Sequence, residues 1–114
     1  MEDKGLGILE LNPNNRFKEW TKVVVFNCDG TSFQGHNKKA VEYKESKIYF
    51  RGSVNMRAHF KWINQKQNFN EAEKIVLSGS RAAGIAVIAW VDYLRDMLKD
   101  PTKLYGIVDS GIFL

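Results

Sequence analysis

The stretch that decides the fold is residues 74–98, KIVLSGSRAAGIAVIAWVDYLRDML. It begins with a short apolar run (74–77), turns on small residues (78–84) and continues as an apolar, amphipathic segment to about Leu98, which predicts a strand, a turn and a helix. Many hydrolases present a nucleophilic serine on such a turn, because only small residues let the strained backbone close. Here the residue at the tip of the turn is Arg81. The stretch therefore predicts an α/β fold and leaves open whether the turn carries any chemistry.

The flanking sequence supplies the other elements of an α/β domain. The run KVVVFN (22–27) is apolar and β-branched at consecutive positions, which predicts a strand buried on both faces. Further strands are predicted at 47–51 and 104–108, and a helix is predicted at 53–67 with Ser53 as its N-cap. This alternation predicts a mostly parallel sheet with helices on its faces.

The composition indicates one domain, residues 1–114. The chain has 114 residues, of which 44% are hydrophobic, and this suffices for one core. Its net charge of +4 comes from 17 Lys and Arg against 13 Asp and Glu, with no block of like charges. Nucleic-acid surfaces cluster their cations on one face, so we expect no nucleic-acid partner.

Cysteine usage and hydropathy favour a chain that has no internal disulfide and does not span a membrane. Cys28 is the single cysteine, and a lone cysteine is usually a small core residue. The N-terminus lacks the basic and apolar regions of a secretory signal. The longest apolar run, 84–91, is much shorter than the roughly 20 residues that a membrane span needs. Taken by themselves these features predict a soluble, unexported chain, but the location of the protein stays open.

The predicted sheet is small for an α/β domain. About four strands and two good helices would leave its edges uncovered, and open edges expose unpaired backbone groups. The sequence therefore resembles the middle of a larger fold or one partner of an assembly, and we expect a protein partner to cover these edges.

Four ordered motifs resemble those of the pectin acetylesterase family, to which Notum also belongs. They are NCDGTSFQG (27–35), FRG (50–52), SGSRAAG (78–84) and VDSG (108–111). The resemblance implies part of an α/β-hydrolase-like domain and a serine carboxylesterase as the ancestral activity. It also implies an acylated saccharide or an acylated protein as the substrate, and no metal or organic cofactor.

The turn is where this chain departs from the family. Without gaps, Ser80 takes the family's cysteine position and Arg81 takes that of the nucleophilic serine, between Gly79 and Ala82. Arginine stays protonated and has no lone pair with which to attack an ester. Ser80, flanked two residues away by Ser78 and Ala82, could act as a shifted nucleophile, or it could simply pack beneath the turn.

Other candidates lie at predicted strand ends. Asp29, with Gly30 beside it, and Asp109 could shape a substrate pocket, but carboxylates at such positions more often cap loops by accepting backbone N–H groups. The resemblance implies that the family's catalytic Asp and His follow the segment matched here, and its oxyanion segment precedes it. His36 and His59 match neither position.

The three tryptophans, Trp20, Trp62 and Trp90, could line a pocket but are more often core residues. Together these observations predict a truncated family member that is inactive alone, with the nucleophile position occupied by Arg81. The alternative is a catalytically dead module that binds an acylated ligand or serves as a structural part of a larger assembly.

Overall fold

The computed structural model describes residues 7–111. Two helices, α1 and α2, and four strands, β1 to β4, make up its regular structure, together with short 3₁₀ turns at Gly7–Leu9 and Pro101–Lys103. Their bounds are Val41–Tyr43 (β1), Ser46–Ile48 (β2), Gly52–Gln67 (α1), Ile75–Ser80 (β3), Ala82–Asp96 (α2) and Leu104–Asp109 (β4).

The decisive stretch forms a parallel β3–α2–β4 unit, so the α/β class and the parallel pairing are confirmed for this part of the chain. The register runs from Ile75 opposite Leu104 to Ser80 opposite Asp109. The predicted strand was three residues too short at its carboxyl end, because Ser78, Gly79 and Ser80 still pair with β4 before the chain turns.

Helix α2 covers one face of this two-stranded sheet. A Cβ built on Gly106 would lie 3.4 Å from Val87 and 3.8 Å from Val91, so Gly106 faces the helix. Side chains alternate along a strand, and the neighbouring Tyr105 is exposed on the other face.

The core joins the two helices, the sheet and the 31–34 loop. Its buried members are Phe33, Met56, Phe60, Ile63, Phe69, Ala86, Trp90, Leu94 and Leu98. The sequence of α2 predicts an apolar stripe made of Ile88, Val91, Tyr93, Leu94 and Leu98, and this prediction is partly wrong, because Ile88 is 61% exposed. The buried side instead follows Gly84, Val87, Trp90 and Leu94, spaced three or four residues apart as one helix face requires.

The strand predicted at 22–27 is not present. These residues form no helix or strand, and Val23, Val24 and Phe26 are exposed, Phe26 to 75%. A strand buried on both faces needs neighbours for its backbone, and none of the described strands pairs with this segment.

The prediction at 47–51 was also wrong in its pairing. Only Ser46–Ile48 is a strand, and it forms an antiparallel hairpin with Val41–Tyr43, separate from the parallel sheet. Lys44 in the two-residue turn has a φ of 54°, in keeping with the positive φ that tight hairpin turns require.

Two local predictions fail for identifiable reasons. Ser53 lies inside α1 and is buried, and the helix begins after Arg51 with no side-chain cap hydrogen bond from that residue. Cys28 is exposed because it follows the unpaired segment and does not enter the core.

Within residues 7–111, no helix is both long and apolar enough to cross a membrane.

Candidate active site

The junction between β3 and α2 is a single residue, Arg81. Its backbone has φ 54° and ψ −120°, a combination that residues other than glycine rarely adopt and that costs about 1–3 kcal/mol. Two hydrogen bonds hold it: its N–H donates to the carbonyl of Asp109 at 2.9 Å, and its carbonyl accepts from the N–H of Gly84 at 2.8 Å. The turn is therefore sharp, strained and fixed at both ends.

Glycines next to the turn make this geometry possible. A Cβ on Gly79 would overlap the backbone carbonyl of Ala83. A Cβ on Gly84 would lie 2.9 Å from the Cα of Gly111, and a Cβ on Gly111 would overlap the Val108 side chain. Helix α2 thus starts in backbone contact with both strands, and the strain at residue 81 is imposed by its neighbours.

Ser80 and Asp109 end the paired strands side by side. They are register partners, and both are exposed. The Asp109 carboxylate accepts a hydrogen bond from the Ser110 hydroxyl at 3.0 Å, while its backbone carbonyl holds Arg81. Ala82, the first residue of α2, is exposed beside them. The structure therefore brings together four predicted site residues, Ser80, Arg81, Ala82 and Asp109, with Gly79 directly behind them.

Asp29 has a different setting, in a loop that ends at α1. Its carboxylate accepts the Thr31 N–H at 3.1 Å and the Thr31 hydroxyl at 2.9 Å, and that hydroxyl accepts the N–H of Gly35 at 2.9 Å. Gly30, between Asp29 and Thr31, has a φ of 70°. Asp29 thus makes the backbone-capping contacts that its sequence position favoured.

The environment of Asp29 lowers the pKa of its carboxyl. Desolvation is the largest single influence and would raise the pKa, but it is outweighed by hydrogen bonds from Thr31 and from the backbone N–H groups of Gly52 and Arg51. A carboxylate facing the first N–H groups of α1 also complements the positive end of the helix dipole. Asp29 therefore ties the 29–35 loop to the start of the helix.

The contacts of the two histidines place neither imidazole against the β3–α2 turn. His36 places its Nδ1 3.3 Å from the Ser53 hydroxyl rather than against Ser80. His59 lies partly buried on α1. Across the described part of the chain, no group of three or more His, Cys, Asp or Glu side chains could hold a metal ion.

The tryptophans separate by environment. Trp90 is buried, and its indole N–H donates to the Phe33 carbonyl at 2.9 Å. Trp62 is 57% exposed, and Trp20 packs edge-on against Phe17. Of the three, only Trp90 is a core residue.

The sequence reasoning missed two features of these sites. The Asp29–Thr31 pair carries a signal, because an Asp followed two residues later by Thr commonly closes a side-chain turn. The bond from Trp90 to Phe33 joins residues 57 positions apart, and no local pattern signals it.

The fold and this junction define an α/β protein with a strand-turn-helix junction of the kind that hydrolases use to present a nucleophile. Comparison with known proteins then gives the family. The family model described as Pectinacetylesterase matches residues 3–114, so the chain belongs to the pectinacetylesterase family.

Three known proteins show how similar this chain is to members of the family. The chain is 32% identical over 111 residues to pectin acetylesterase 5 of Arabidopsis thaliana and 30% identical over 111 residues to pectin acetylesterase 4 of the same plant. It is 32% identical over 108 residues to the palmitoleoyl-protein carboxylesterase NOTUM of Schmidtea mediterranea.

These matches cover 95%, 95% and 91% of this chain but 25%, 26% and 19% of the respective relatives. The chain thus spans about a quarter or less of their length. No solved structure gave a significant match.

Proposed function

We propose that this chain is the central segment of a carboxylic ester hydrolase domain of the pectin acetylesterase and Notum type, and that it does not hydrolyse esters by itself. Membership of the family supports the ester hydrolase class. The relatives are named for acetylated pectin and for a palmitoleoylated protein, so the substrate class that we propose is an acylated saccharide or an acylated protein.

The observation that carries the proposal is Arg81 at the strained tip of the β3–α2 junction. In a hydrolase that position belongs to the attacking hydroxyl, whose oxygen must lie near a base and near backbone N–H donors. The guanidinium of Arg81 is exposed there and cannot attack, because it has no lone pair to give. The junction therefore retains the backbone of a nucleophile turn without its nucleophile.

Ser80 is the one candidate that could rescue activity. It precedes the strained residue and lies in the regular ladder of β3, opposite Asp109, so it lacks the turn geometry that activates a serine. The hydrogen bond that the structure gives His36 goes to Ser53 and leaves Ser80 without that imidazole as a base. Gly79, Ala82 and Asp109 are proposed to shape the surroundings of the turn, whereas Asp29 and Gly30 are proposed to shape a pocket from the separate 29–35 loop.

The test is hydrolysis of a chromogenic acetyl ester and of an octanoyl ester by the 114-residue chain, by Ser80→Ala and by Ser78→Ala. Ser78 is the matched control, because side chains two residues apart on a strand lie on the same face, so Ser78 and Ser80 share one face of β3. We expect the three proteins to give the same rate, equal to that of the buffer. Hydrolysis that Ser80→Ala abolishes and Ser78→Ala keeps would overturn the proposed inactivity.

The unpaired sheet edges favour a second candidate, a structural or ligand-binding module within a larger assembly. The parallel sheet has two strands, so β3 and β4 each have an edge to which no described strand pairs. Exposed edges of this kind pair readily with other polypeptide, and we propose a protein partner for them. Sedimentation of the purified chain tests this idea, and a stable, monodisperse monomer would count against it.

A further inference from the structure

A groove between the two helices lies outside the junction and is not used by the proposed function. Residues 53 and 57 of α1 line one wall, residues 89, 90 and 93 of α2 line the other, and Gln34 and His36 close one end. Its volume is about 490 Å³. The groove is open to solvent along the protein surface, so a small ligand bound there would stay partly exposed.

The walls of this groove combine an aromatic surface with nitrogen donors. Trp90 and Tyr93 pack edge to face at 5.4 Å, and the guanidinium carbon of Arg57 lies 5.8 Å from the centre of the Trp90 ring. The ionisable lining residues are His36, Arg57 and Tyr93, and none of the lining residues is acidic. The groove therefore offers cation and N–H donor character beside an aromatic surface in which the two rings stand nearly perpendicular.

These walls are held by contacts from three separate segments. The Trp90 indole is tied to the Phe33 carbonyl, which fixes the aromatic wall against the loop. The N–H of Ser53 donates to the Gly35 carbonyl at 2.9 Å, and the Ser53 hydroxyl meets Nδ1 of His36 at 3.3 Å. The ring of His36 is thus oriented by its contact with α1, which lowers the entropy cost of binding through that residue.

We propose that the groove between α1 and α2 binds a small organic anion with an aromatic body, an aromatic carboxylate being the simplest example. Arg57 and His36 bind the carboxylate, since guanidinium and imidazole N–H groups match its oxygens. The ring packs on Tyr93 and on the exposed part of Trp90, because aromatic pairs gain energy beyond their buried area. This site is independent of the ester chemistry proposed for the junction.

The test is a titration of the ¹⁵N-labelled 114-residue chain with benzoate, followed by the indole N–H signals of its three tryptophans. Trp90 reports on the groove, and Trp20 and Trp62 serve as internal references; their signals are assigned with Trp20→Phe and Trp62→Phe. We expect benzoate to shift the Trp90 signal to saturation and to leave the other two in place. Acetate supplies the charge without the ring, and benzyl alcohol supplies the ring without the charge, so both should bind more weakly.

Two charge variants complete the experiment. Arg57→Gln should raise the Kd for benzoate about tenfold, the loss expected for one hydrogen bond to a charged group. Lys66→Gln removes the same charge from the same helix, but nine residues further on and hence on its opposite side, and should change the Kd less than about twofold. No saturable shift of Trp90, equal binding by Arg57→Gln and Lys66→Gln, or equal binding of benzyl alcohol and benzoate would each overturn the proposal.

Discussion

Two apolar, β-branched runs of this chain have opposite outcomes. The run that begins at Ile75 pairs along its full length with β4 and continues through the strained turn into α2. The run at 22–27 has an equally strong strand composition, yet its side chains are largely exposed and its backbone belongs to no described strand. The difference teaches that composition selects residues able to form a strand, whereas an available partner decides whether they do.

The largest effect is expected where helix and strand meet. Gly79→Ala places a Cβ against the Ala83 carbonyl, and since backbone cannot rotate away, the free energy of unfolding should fall by about 3 kcal/mol. Gly106→Ala is the matched control, because its Cβ would meet Val87 at an ordinary 3.4 Å. Chemical denaturation measures both variants. Equal losses of stability in the two variants would contradict the steric overlap between a Cβ at residue 79 and the Ala83 carbonyl.

Asp29 anchors the loop that follows the unpaired run, and its replacement should lower the free energy of unfolding. Asp29→Ala removes the acceptor for Thr31 and for the first N–H groups of α1, and by analogy with helix caps it should cost about 1–2 kcal/mol at neutral pH. Asp96→Ala, whose carboxylate contacts Arg95 at the surface, is the control and should cost less than about 0.5 kcal/mol.

The same carboxylate predicts a dependence on pH. The pKa of Asp29 is lower in the folded chain than its usual 3.8, so its stabilisation is complete above 3.8 and is lost as the pH falls through the lowered folded value. The difference in stability between the wild type and Asp29→Ala should therefore narrow below pH 3.8. A difference that stays constant down to acid pH would contradict the described contacts.

The strain at the turn can be relieved directly. Arg81→Gly should stabilise the chain by about 1 kcal/mol, because glycine accepts a positive φ at little steric cost and the gain exceeds the added entropy of the unfolded chain. Arg81→Ala removes the same side chain but keeps a Cβ, so it should give no such gain. Thermal unfolding distinguishes them, and equal midpoints would show that the strain is absent.

The smallest effect is expected in the unpaired run. Val24→Thr should change the free energy of unfolding by less than about 0.5 kcal/mol, since residue 24 is exposed. Val87→Thr buries the same hydroxyl in a residue that is 4% exposed and should cost more than about 1 kcal/mol. A large loss at Val24 would indicate that 22–27 is paired after all.

The sequence was sufficient where local pattern and local pairing agree. The small residues at 78–84 and the amphipathic pattern that follows them to about Leu98 predicted a turn with Arg81 at its tip and a helix. In the structure the turn is shorter, because β3 runs to Ser80 and α2 spans Ala82–Asp96. The sequence was insufficient where an outcome depends on distant groups. The run 22–27 pairs with none of the described strands, and the indole N–H of Trp90 bonds to a carbonyl 57 positions away. The start of α1 is held by Asp29, so Ser53 is free to face His36.

The contact between Gly84 and Gly111 has a consequence for what can change at the turn. These glycines, together with Gly79, set the path of the backbone without help from the side chain at position 81. Chemistry and geometry are therefore specified by different residues. A substitution at 81 can exchange a hydroxyl for a guanidinium while the backbone of the junction keeps its conformation. The side chain at this position can therefore change without a change in the fold of the junction.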